Sequence, residues 1–199
     1  MTSENSTKRG KLPPGQKPIK RLLRWGVDHP GITRSNPKID LKTYTLQISG
    51  EVEESLALRW EEVLKLPKTR SVSDFHCVEG WSVLNCEWEG VRFSDLVDLV
   101  KPKETARYVT FECADGYTTS LSLEELSGED VLLAYGLGGK PLEEGIGYPL
   151  RLVIPNKYGY KSALWVTKIK FTAKKELGYW EKLGYCDTAD VWKNDRFAR

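Results

Sequence analysis

YVTFECADGYTTSLSLEEL, residues 108–126, decides the fold class. YVTFEC alternates β-prone residues and reads as a strand. Asp115-Gly116 is a hairpin signal, and YTTSLSL returns as a second strand. Ser122 followed three residues later by Glu125 is a capping box, so LEEL starts a short helix. Strand, turn, strand and short helix within nineteen residues is α+β organisation, without the regular βαβ alternation of a doubly wound sheet.

The pattern holds outward from there. TYTLQIS (43–49) alternates as a strand closed by Gly50. LRWEEVLKLP (58–67) has helical spacing and stops at Pro67. SVSDFHCV (71–78) is β-prone, and CEWEGVRF (86–93) carries a turn at Glu89-Gly90. FSDLVDLV (93–100) is a helix with Ser94 as its expected N-cap. VLLAYGL, PLRLVIP and LWVTKIKF read as strands, and 178–183 adds a helical turn. GLGGKP (136–141) lacks the phosphate-loop spacing and predicts a hairpin turn. The expectation is one domain over 19–199, mostly short mixed strands with a few short helices, behind a flexible arm at 1–18.

The chain has 199 residues, 40% of them hydrophobic, which suffices for a core. Thirty Lys+Arg against 28 Asp+Glu leave a net charge of +2, a balance that points to neither nucleic acid nor a membrane surface. No apolar run approaches the ~20 residues that span a bilayer. The first twenty residues have no apolar signal core and no Arg-Arg pair, so the expected location is cytoplasmic. Four cysteines without a C-x-x-C pair match no zinc spacing, and a disulfide framework is not expected.

Two stretches carry unusual chemistry. DFHCVEGWSV (74–83) places one of only two histidines beside a cysteine. A cysteine hydrolase would need a base within reach of Cys77, yet neighbouring side chains on a strand point to opposite faces. A lone thiolate also suits a metal whose other ligands come from elsewhere, for instance from a cofactor. YPLRLVIPNKYGYKSALW (148–165) sets Arg151 inside an apolar strand, ahead of a Gly-containing loop with Lys157, Lys161 and Ser162. A buried arginine needs an anion, either a bound one or an internal carboxylate. The residues alone leave both open.

Together DFHCVEGWSVLNCEWEGVRF, the DGYTTSL hairpin, LLAYGLGGKPL, PLRLVIPNKYGYKSALWV and LGYWEKLGYCDTADVWKNDR resemble, in order, the oxidoreductase molybdopterin-binding domain of the sulfite oxidase superfamily. The similarity runs over about 20–199 and is greatest to stand-alone sulfite-oxidase-like members. It implies that Cys77 ligates molybdenum while the pterin dithiolene supplies two further sulfurs. It places Arg24, His29, His76, Cys113, Arg151, Lys161, Ser162 and Leu164 against molybdopterin, Arg151 at its phosphate. Leu164 stands where relatives often have Lys, and Ile146 where they often have a polar residue.

Cys77-Val78-Glu79-Gly80-Trp81 resembles the periplasmic methionine sulfoxide reductase catalytic subunit more than the sulfite oxidases, which use arginines for their dianion. Glu79 and Trp81, with Tyr158 or Tyr160, are therefore expected on the side of a small neutral substrate such as a sulfoxide or N-oxide. An ion pair of Glu79 with a neighbouring Lys or Arg is the structural alternative. No C-x-x-C-H haem motif is present, so electrons are expected from a separate partner. The resemblance thus implies a molybdenum-dependent oxidoreductase that transfers an oxygen atom on a small substrate of sulfite, sulfoxide or N-oxide type; a non-catalytic cofactor carrier of the same fold is the second reading.

Overall fold

The computed structural model describes residues 11–32 and 36–198. Its strands form two mixed sheets. One sheet contains β1 (Lys17–Pro18), β4 (Lys68–His76), β5 (Trp81–Arg92), β8 (Leu132–Leu137), β9 (Lys140–Pro141) and β10 (Arg151–Val153), with the order β1-β5-β8-β10; β4 also pairs with β5 and β9 with β8. The other runs β3 (Leu56–Arg59), β2 (Thr45–Gly50), β11 (Val166–Thr172), β6 (Tyr108–Cys113), β7 (Thr118–Ser122). Its central β11 lies parallel to β2 and antiparallel to β6. Among the described residues, four short α-helices complete the α+β fold: α1 (Trp60–Val63), α2 (Phe93–Val100), α3 (Leu123–Leu126) and α4 (Tyr179–Lys182).

Two hydrophobic cores form, the first shared by both sheets through Leu133 of β8 and Leu152 of β10. Val109 and Phe111 of β6 join Ile169 and Phe171 of β11 beneath α2. That helix buries Phe93, Leu96 and Val100 along one face, each contributing roughly 1.5–3 kcal/mol. It stops at Lys101, whose left-handed backbone donates to Val97 O, with Pro102 next. Phe75, Cys86, Trp88, Leu132 and Val153 form the second core on the β5 sheet.

The β6–β7 hairpin, the Ser122–Glu125 capping box and the Gly138-Gly139 turn between β8 and β9 stand as expected. Four local readings are corrected. Glu89-Gly90 is not a turn but part of β5, where the pairing with β8 shifts register; a Cβ on Gly90 would lie 2.2 Å from Leu133 O, so close strand approach requires the glycine. Leu58 and Arg59 belong to β3, paired with β2, which leaves α1 a single turn. The N-cap of α2 is Arg92, so Ser94 lies inside the helix. Finally, the arm does not extend to residue 18. Residues 1–10 lie outside the described residues, but β1 pairs in parallel with Trp81–Ser82 and Gln16 is buried.

Candidate active site around Cys77

The β4–β5 ladder ends at His76 opposite Ser82. Beyond it, Cys77 N–H donates to Trp81 O at 2.8 Å and Gly80 N–H to Cys77 O at 3.0 Å. This closed loop holds Cys77 at the hairpin tip. Gly80 has φ +100°, and a Cβ there would stand 3.0 Å from Gly15 O, so an L side chain would be both strained and crowded.

Cys77 lines a cleft between the two cores. Trp25, Phe75, Tyr117, Tyr160 and Trp165 form its aromatic walls, with Ser162, Ala163 and Leu164 along one side. Trp165 holds a left-handed backbone (φ +55°), and its indole N–H donates to Glu144 O at 2.8 Å. A bulky residue in that region stores on the order of 1–3 kcal/mol, which the surrounding bonds must offset.

Among the described residues, the ionisable side chains in the lining, tyrosines apart, are Cys77, His29, Glu79 and Asp115. Glu79 Oε1 lies 2.8 Å from His29 Nε2, and His29 Nδ1 lies 2.8 Å from Pro30 O. His29 thus bridges Pro30 O and the Glu79 carboxyl through its two ring nitrogens. Glu79 Oε2 accepts from the Trp81 indole at 3.3 Å and stands 3.9 Å from Cys77 Sγ. Glu79 thus pairs with a histidine fifty positions away rather than with a neighbouring Lys or Arg. Asp115 accepts Tyr117 N–H at 3.0 Å, and burial pushes its carboxyl above the usual range.

The remaining expected site residues divide. His29, Ser162 and Leu164 reach the cleft. Trp81 does not line it; it packs on Phe75 with ring centres 5.8 Å apart and reaches the site through Glu79. His76 faces inward, with Nδ1 2.7 Å from Ser82 Oγ. Cys113 is buried in the first core. Tyr158 is fully buried, so of the two tyrosines only Tyr160 lines the cleft. Arg24 bonds Asp28 through Nε at 2.9 Å, and its carbonyl accepts from Val27, Asp28 and His29. Arg24 therefore shapes the turn that presents His29 and does not itself meet the cleft.

Arg151 and Lys161 lie behind the wall. Arg151, 2% exposed, donates to Ile146 O at 3.0 Å and Ser162 O at 3.4 Å. Its guanidinium lies 5.2 Å from the Phe75 ring centre and 5.1 Å from that of Trp88. Burial lowers its pKa to about 10, so it stays charged at neutral pH. Among the described residues no carboxylate lies within ion-pair distance of it. Lys161 is also wholly buried, yet pairs with Glu181 and with Asp187 at 3.0 Å, and donates to Ser120 O. Sequence reasoning missed Trp25, Asp115, Tyr117 and Trp165; only the Asp115-Gly116 turn gave a local sign of where that wall lies.

These residues fit a metal–pterin group. Burial pushes the Cys77 thiol up to about 12, so a thiolate there needs a cationic centre beside it. Among the described residues no cluster of three or more His, Cys, Asp or Glu could hold a metal, so the thiol suits a metal that brings its other ligands. Aromatic walls accept a flat ring system, and Arg151 is a buried cation with no carboxylate partner among the described residues.

Comparison with known proteins agrees. The oxidoreductase molybdopterin binding domain family matches residues 33–180, and the chain belongs to that family, whose members take a molybdenum cofactor; it is an oxidoreductase. It is 41% identical over 159 residues to the uncharacterized oxidoreductase YuiH of Bacillus subtilis (strain 168), covering 80% of each chain. It is 33% identical to the protein-methionine-sulfoxide reductase catalytic subunit MsrP of Campylobacter jejuni, over 70% of this chain and 52% of that one; it thus spans about half the length of that relative. The sulfane dehydrogenase SoxCD of Paracoccus pantotrophus shares the fold, with a TM-score of 0.68 and 22% identity over 79% of this chain and 46% of that one.

Proposed function

We propose that the protein reduces a small neutral oxo compound, a sulfoxide or N-oxide, by two-electron oxygen-atom transfer. The observation that carries this reading is the His29–Glu79 pair beside Cys77 in a cleft with aromatic walls and no Lys or Arg among its described lining residues. A sulfite dianion would find no Lys or Arg among the described lining residues, and an oxygen atom on an apolar molecule fits aromatic walls. The reaction balances as sulfoxide plus two electrons and two protons giving sulfide plus water: the sulfur–oxygen bond breaks, and the oxygen leaves with both protons.

Molybdenum, when bound, would supply the two-electron redox couple. Cys77 would hold the metal, Ser162, Leu164 and His29 would contact the pterin, and Arg151 would supply positive charge behind Ser162. Glu79 Oε1 and His29 Nε2 hold a proton at the substrate side, and the Trp81 indole fixes the second carboxylate oxygen. Relatives named as catalytic subunits support electron delivery by a separate protein. Four free cysteines accord with a reducing, cytoplasmic setting, which cell fractionation tests.

The deciding experiment compares wild type with Cys77→Ser for molybdenum, released pterin and dye-driven reduction of sulfoxide and of N-oxide, and for oxidation of sulfite. About one molybdenum per chain and sulfoxide turnover in wild type, both lost in the variant, is the expected result. Turnover confined to sulfite overturns the substrate class. The carrier reading draws on Ile146 and Leu164, apolar where the resemblance implies polar contacts; stoichiometric metal with no turnover of any substrate would favour it.

A further inference from the structure

The loop that carries Cys77 is bonded mainly by the two ends of the chain. Between residues 77 and 82 the carbonyls are almost fully assigned. Gln16 Nε2 donates to Cys77 O at 3.0 Å. One Arg196 guanidinium nitrogen donates to Val78 O, and the other reaches Gly15 O at 3.3 Å. Lys17 N–H donates to Gly80 O at 2.9 Å and Ile19 N–H to Ser82 O at 2.8 Å. Gln16 and Arg196 both lie outside the residues 33–180 that the family matches.

Neither donor is free to wander. Gln16 Oε1 accepts Ser82 Oγ–H at 2.9 Å, and Ser82 Oγ lies 2.7 Å from His76 Nδ1. Since the Ser82 hydrogen goes to Gln16, Nδ1 is the donor to Ser82, and the carboxamide can face Cys77 O only with its amide hydrogens. Arg196 Nε donates to Asn194 Oδ1 at 2.8 Å, and the guanidinium lies 5.5 Å from the Tyr158 ring centre. A planar cation locked on three sides is a rigid donor.

We propose that Gln16 and Arg196 are positioning residues that fix Cys77 Sγ in the cleft by holding the carbonyls of Cys77 and Val78. The assignment rests on the reading of Cys77 as the metal ligand, but the clamp itself can be tested without metal.

The test uses the full chain, from a host unable to make the pterin and from a replete one, as Arg196→Ala, Arg196→Lys and Gln16→Ala. Iodoacetamide alkylation of Cys77 is followed by peptide mass spectrometry, with Cys86 and Cys113 as internal references for global loosening. Losing a charge-assisted hydrogen bond raises loop opening, and hence Cys77 labelling, about tenfold in Arg196→Ala. Gln16→Ala raises it less, and Arg196→Lys recovers part of the difference. In the replete protein the Arg196→Ala variant shifts the electron paramagnetic resonance signal of the metal while metal remains bound.

A Cys77 rate equal to wild type, or one that rises only in step with Cys86 and Cys113, overturns the proposal. If Arg196→Ala does not fold, Arg196→Lys and Gln16→Ala carry the same readout. Should Cys77→Ser retain its metal, the function reading falls, and the labelling result still judges the clamp.

Discussion

Arg151 and Lys161 are two buried cations ten residues apart, both expected at the cofactor, and the fold treats them oppositely. Lys161 is neutralised from within by Glu181 and Asp187. Among the described residues, Arg151 meets only carbonyl oxygens and aromatic faces. Burial of a positive charge therefore does not by itself mark a ligand contact. Lys161 fastens α4 and the tail to β7, whereas Arg151, behind the cleft wall, has no carboxylate partner among the described residues, which is what its proposed role at an anion draws on.

Three variants can break this contrast. The largest effect is expected for Lys161→Met, which strands the buried Glu181 carboxylate and costs about 3–5 kcal/mol in denaturant unfolding of the metal-free protein. Adding Glu181→Gln should recover part of that loss, and a double mutant no better than the single would remove the pair from the account. Arg151→Met strands only backbone carbonyls, those of Ile146, Leu152 and Ser162, at about 1–3 kcal/mol, but pterin content should fall steeply. Pterin retained at wild-type level would make Arg151 as structural as Lys161.

The smallest effect is in the acid limb of stability. Asp187 feels burial, which raises its pKa, but Lys175 and Lys161 outweigh it and hold the carboxyl below its ordinary value. A lowered folded pKa adds stability above the unfolded value of ~3.9, and that stability is lost as pH falls through the folded value. Urea midpoints from about pH 6 to about pH 3 should therefore fall more steeply in wild type than in Lys161→Met. Arg151→Met should keep the wild-type slope, because no described carboxylate pairs with Arg151.

What the sequence disclosed was local. YVTFEC matches β6 residue for residue, and Ser122 with Glu125 caps α3, because both signals are complete within a few positions. Glu89-Gly90 misled for the same reason: the dipeptide favours a turn, but the backbone of β8 passing beside Gly90 cannot be read from it. Leu58 and Arg59 kept helical spacing and were claimed by β2, an instance of tertiary pairing overriding propensity. At the site, Cys77, Glu79 and His29 were each legible as unusual residues. Their juxtaposition came only from the turn that Arg24 and Asp28 build, and the aromatic wall of Trp25, Tyr117 and Trp165 comes from three segments far apart in sequence.

The Arg196 contact also sets an order of events in biosynthesis. Residues 77–82 leave the ribosome more than a hundred positions before the guanidinium that holds Val78 O. Until residue 196 has been made, the Cys77 loop lacks one of its anchors, however completely the two sheets have formed. A nascent chain stalled ahead of Arg196 would present the Cys77 thiol on a hairpin that lacks this anchor.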